Sequence, residues 1–275
     1  MKAYKDIFYK YVSLSLAGAV TIGILFGISG LNQVALAAVL VVWLIGNALY
    51  WQYRANSRTK TLTNLFESCQ IEEYVEQCKT LDARSPRMTD PVSKNDIKLN
   101  LIAGLYALGR IDEMEKVLSE VEVCNRTSME DMTQKVRYYN AAALALIEKG
   151  KLDDAEDNLD MCYRTMNNLK FKEPQLTRYG QICDSTMELI NMREGNVDGL
   201  IEKFRAWSET SANKVNEIAC RYRIAEILWH QDKRDEADEE FRYVAENGGD
   251  TIYAKRAREI LDRKGKQTVK ISIPS

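Results

Sequence analysis

The sequence predicts an all-helical protein with two parts, an N-terminal hairpin of two membrane-spanning helices and a domain of about five helical hairpins. Three observations support this prediction. Residues 11–53 form a run of 43 without Asp, Glu, Lys or Arg. The four prolines lie at positions 86, 91, 174 and 274, so long intervals are free of the strongest helix breaker. One short turn pattern recurs five times in the rest of the chain.

The uncharged run divides at residues 32–33, which predicts transmembrane helices at about 11–31 and 34–50. Each segment is close to the roughly 20 residues that a helix needs to cross a bilayer core. The connection is too short to cross, so the two helices are antiparallel. Basic residues flank the run and are absent from the connection, namely Lys2, Lys5, Lys10, Arg54, Arg58 and Lys60. The positive-inside rule therefore predicts an integral membrane protein whose termini and repeat domain, residues 54–262, are cytoplasmic.

Alternatives to this membrane topology remain open. A cleaved secretory signal also begins with basic residues, although its apolar region spans only about 7–15 residues. A mitochondrial inner-membrane location also fits. Small residues recur every four positions in the first predicted helix, and Gly23 and Gly27 belong to this face. Such a face packs on the second helix of the hairpin or supports a homo-oligomer through Gly23 and Gly27.

Composition argues against several function classes. The chain has a formal charge of −2. Residues 1–53 contain three lysines and Asp6, so the rest of the chain carries −4. This charge does not predict a basic surface for binding nucleic acid. The six cysteines are scattered without a C-x-x-C pair, and His230 is the single histidine. This pattern predicts reduced, mostly buried thiols and no metal site. Without a phosphate-binding loop or a dinucleotide fingerprint, we expect no cofactor and no enzyme activity.

The recurring turn predicts helical hairpins. An acidic residue follows the first position of each turn by three residues, and an apolar residue follows it by five. The first residue of the turn is glycine in three of the five cases, and glycine ends a helix because it accepts the left-handed backbone conformation. The acidic side chain then favours the positive end of the next helix. The five turns begin at Cys69, Gly109, Gly150, Gly195 and Asp232.

Two of these units resemble tetratricopeptide repeats (TPRs). Around Gly150, small residues stand seven before and five after the turn, at Ala143 and Ala155, and Ala225 and Ala237 repeat this arrangement around Asp232. The other three units lack these small residues. The turns are 40, 41, 45 and 37 residues apart, whereas the family repeats about every 34. The resemblance implies a TPR-like alpha-solenoid over residues 54–262, followed by a basic C-terminal tail, 263–275. A looser alpha-solenoid is the alternative.

The resemblance implies an interaction scaffold, because stacked hairpins form a concave face from the first helix of each pair. We therefore expect a membrane-anchored adaptor that binds a protein or peptide partner on this face. The alternative is an accessory subunit of a membrane transport, secretion or envelope-assembly complex. The last helix is basic and includes Arg256, which is typical of a terminal cap. Counting residues from each turn places the candidate partner-binding residues on or near the concave face. They are Asn100, Tyr106, Arg137, Asn140, Tyr222, Arg223 and Trp229.

Overall fold

The computed structural model describes residues 17, 18, 20, 21, 24, 33–83, 91–123, 128–167, 173–211 and 213–271. Their regular structure is entirely helical, which confirms the all-helical prediction for this part of the chain. Residues 17, 18, 20, 21 and 24 are helical. The helices that follow are α1 Gln33–Glu67, α2 Ile71–Asp82, α3 Pro91–Ala107, α4 Ile111–Ser119, α5 Met129–Glu148, α6 Leu152–Asn167, α7 Glu173–Glu194, α8 Leu200–Glu209, α9 Lys214–His230, α10 Arg234–Asn247 and α11 Ile252–Ile271.

All five predicted turns adopt the left-handed conformation. The turn residues have φ between 57° and 88°, including the two that are not glycine, Cys69 and Asp232. After the first turn, the Gln70 amide donates to the Leu65 carbonyl at 2.9 Å, a Schellman closure of the helix end. The equivalent bond closes the other four helices at 2.8–3.0 Å. Each turn therefore ends one helix and reverses the chain, as the sequence predicted.

The start of the second helix is also repeated. Gln70, Arg110 and Lys233 precede α2, α4 and α10 with φ between −88° and −85° and ψ of 65° or 66°. Two acidic residues occupy the first turn of α2, α4, α6 and α10, where they face the positive end of the helix dipole. The Gly195 turn differs, because α8 begins only at Leu200, after a second left-handed residue, Gly199.

The small positions of the two best-matched units lie at helix contacts. Ala143, Ala155, Ala225 and Ala237 are completely buried. A methyl group at these positions allows α5 to approach α6, and α9 to approach α10, closely. The structure is therefore compatible with a helical-repeat solenoid. A small apolar core joins α5, α6 and α7, and a larger one extends from the end of α1 to α11.

The end of the repeat array returns to its beginning. Asp250, just before α11, accepts hydrogen bonds from the Ile71 and Glu72 amides at 2.7 and 2.9 Å and thereby caps α2. The Asp250 amide donates in turn to the Cys69 carbonyl at 3.3 Å. These contacts join residues about 180 positions apart in the chain. They fix α11 against the first turn.

The first turns of α11 then contact the next two hairpin turns. The Ile252 side chain fills the space beside Gly109, where a Cβ atom would lie 2.7 Å from it. The Arg256 Nη2 atom lies 3.8 Å from a carboxylate oxygen of Glu148, beside the third turn. Consequently α11 lies along the turns that follow α1, α3 and α5.

The structure contradicts the transmembrane hairpin. The predicted second span, 34–50, is not a separate element but the first half of α1, a single 35-residue helix whose second half carries Arg54, Arg58 and Lys60. Among the described residues, no helix has the length and apolarity needed to span a bilayer. The predicted localisation, an integral membrane protein with cytoplasmic termini and a cytoplasmic repeat domain, depended on this hairpin and is contradicted as well. Most of the predicted first span, 11–31, lies outside the described residues, as do Gly23 and Gly27.

The first half of α1 exposes large apolar side chains. Val42 is 71% exposed, and Ile45 and Leu49 are also exposed. Tyr53, just past the midpoint of α1, is 71% exposed as well. One side of the helix is covered, because the Trp43 ring lies against Gly18, where a Cβ atom would be 2.8 Å away. An apolar surface of this kind on a folded chain commonly marks an interaction site.

Candidate functional site

Three of the sequence-predicted site residues meet where α3, α5, α9 and α11 come together. We call this group the inner cluster; it consists of Tyr106 of α3, Glu148 of α5, Tyr222, Arg223 and Glu226 of α9, and Tyr253 and Arg256 of α11. The Tyr222 and Tyr253 rings lie 5.4 Å apart, centroid to centroid.

Arg223 is the buried cation of the inner cluster. It is 3% exposed, and its Nη1 atom donates to a Glu226 carboxylate oxygen at 2.7 Å. The guanidinium also lies over the rings of Tyr222 and Tyr253, at 5.7 and 5.4 Å from their centroids. Burial opposes the charge, but Glu226 holds the pKa of Arg223 above its usual value. Arg223 therefore stays charged and is fixed by its contacts within the fold.

Tyr106 and Tyr222 of the inner cluster stay neutral. Burial and the nearby Glu226 raise the pKa of Tyr222 to about 12, against an opposing effect of Arg256, Arg223 and Arg193. Burial also raises the pKa of Tyr106 well above its usual value. A neutral phenol can donate a hydrogen bond as well as accept one. The cluster therefore offers hydroxyl donors alongside its guanidinium groups.

A small cavity opens at one side of the inner cluster. Tyr106, Glu148, Tyr253 and Arg256 line it, together with Ile252, and its volume is about 10 Å³. This is close to the space that one water molecule requires. The cavity is too small for a nucleotide or a sugar, so it fits a single small polar group.

A second group of predicted residues forms a row across the first helices of neighbouring hairpins. We call it the polar row; it consists of Asp96 and Asn100 of α3, Gln134, Arg137 and Asn140 of α5, and Thr186 of α7. Arg137 donates to Asn100 at 2.8 Å and to Asp96 at 3.3 Å. The Thr186 hydroxyl donates to the Asn140 side-chain oxygen at 2.9 Å.

The polar row is accessible at one end. The Arg137 side chain is 28% exposed and its ion-pair partner Asp96 is 37% exposed, whereas Asn140 and Thr186 are buried. Trp229 lies apart from both groups, at the end of α9, where Arg234 stacks on its ring at 3.9 Å.

Sequence reasoning missed the contributions of α5 and α11 to the inner cluster. Glu148 ends α5 beside a turn, and the sequence assigned Arg256 only to a basic terminal helix. Tyr253 shows no local signal, because its partners Tyr106 and Tyr222 come from helices distant in sequence. The spacing of the turns gives the order of the hairpins along the chain. It cannot show which later helix folds back and packs against those hairpins.

The cysteines do not add a reactive or metal-binding group in the described part of the chain. Cys69, Cys78, Cys162, Cys183 and Cys220 are free thiols, and all but the last are buried. Burial raises the pKa of Cys78 to about 12, so this thiol is poorly nucleophilic. The described residues contain no group of three His, Cys, Asp or Glu side chains arranged to hold a metal ion.

The comparisons with known proteins add no family assignment. No protein-family model, no curated protein and no solved structure matches this chain.

Proposed function

We propose that this chain is a TPR-like helical-repeat protein that binds a segment of a protein partner across the first helices of its hairpins. One observation carries the proposal. The polar row presents half-exposed side chains from neighbouring helices in a fixed arrangement, with Arg137 held by Asp96 and Asn100. An Arg that is already oriented loses little freedom when a partner binds, and Arg is a common interface anchor.

The buried members of the predicted set support the site indirectly. Tyr222 and Arg223 are almost fully buried, so we assign them the role of holding α9 against α11. The direct contacts belong to Asp96, Asn100 and Arg137.

Site-specific photocrosslinking tests this function in the cell of origin. A photoreactive amino acid at Asp96 is expected to give a discrete adduct with a partner protein, and one at Glu156, exposed on α6, is expected to give none. Arg137→Ala should reduce the adduct about tenfold, because loss of an Arg anchor commonly costs more than 1 kcal/mol.

Arg178→Ala is the matched control, because Arg178 is exposed on α7, outside the polar row. This variant should leave the adduct unchanged. Equal adducts from both photoreactive positions, or an adduct that does not respond to Arg137→Ala, would contradict the proposal.

The exposed apolar side of α1 favours a second candidate function, as an accessory subunit of a larger assembly that covers this helix. Val42 and Tyr53 are exposed to a degree that a folded chain rarely retains without a binding role. If a charged residue replaced Val42, assembly would bury that charge without a partner, at a considerable cost in free energy.

Val42→Asp is therefore expected to release the protein from its assembly. Native size-exclusion chromatography of cell extracts should then show the protein at a smaller apparent size. Ser57→Asp adds the same charge at an exposed polar position of α1 and should leave the particle size unchanged. If both variants migrate as the wild type does, the second candidate function is wrong.

A further inference from the structure

We draw no further inference here: the strongest candidate, the exposed apolar side of the first half of α1 around Val42, Ile45 and Leu49, already belongs to the second candidate function, and nothing in the described part of the chain shows what covers it.

Discussion

Gly249→Ala is expected to lower the free energy of unfolding by about 3 kcal/mol, because it combines backbone strain with a steric clash. Gly249 has φ of +55°, and a Cβ atom there would lie 2.3 Å from the Cys69 carbonyl oxygen. That oxygen also accepts the Asp250 amide, and Asp250 caps α2, so neither side of the contact can move away cheaply. Urea denaturation followed by helical circular dichroism measures the loss.

Gly150→Ala is the matched control for this prediction. Gly150 has φ of +71°, but a Cβ atom there would meet nothing within 4 Å. Its cost is the left-handed conformation alone, about 1 kcal/mol. Equal losses in the two variants would show that the approach of Gly249 to Cys69 contributes nothing to stability, and the closure of the repeat array at this point would then be wrong.

The contrast between these glycines also shows which parts of the fold the sequence could reveal. The turns at Gly109 and Gly150 were predictable because their cause is local, a residue that accepts positive φ followed by acidic residues at a helix start. The same pattern identified Cys69 and Asp232, which adopt positive φ without being glycine. Such a signal needs only a few consecutive residues.

The return of α11 to the first turn was not predictable in this way. It depends on Asp250 meeting the amides of Ile71 and Glu72, about 180 residues earlier. Nothing in the residues around Asp250 distinguishes a cap on a distant helix from an ordinary turn residue. Non-local contacts of this kind leave no periodic signal in a single sequence.

The same limit applies to the candidate site. The spacing of the turns placed Tyr106 and Arg223 on or near one face of the array, and in the structure the two residues lie in one cluster. It could not show that Arg223 is buried against Tyr253, because the register treats α11 as a continuation of the array. The position of a residue relative to its turn therefore predicts which side of the array it lies on. It does not show whether another helix covers that side.

The second large effect is expected at the buried ion pair of the inner cluster. Glu226→Gln should destabilise the protein by about 3 kcal/mol, because it leaves the Arg223 cation buried without its carboxylate. Arg223→Met removes the cation and keeps most of the side-chain volume, yet it leaves Glu226 without its partner. Since the Glu226 side chain is partly exposed, we expect a smaller loss, about 2 kcal/mol.

The double variant Arg223→Met with Glu226→Gln separates charge pairing from packing. Removing both charges eliminates the cost of an uncompensated buried ion, so its stability should return to within about 1 kcal/mol of the wild type. Glu148→Gln is the matched single control, because Glu148 lies 3.8 Å from a half-exposed arginine and its loss should cost less than about 1 kcal/mol. Losses that simply add in the double variant would mean that the Arg223–Glu226 pair is not energetically coupled. Arg223 would then hold α9 against α11 through its contacts with the tyrosine rings alone.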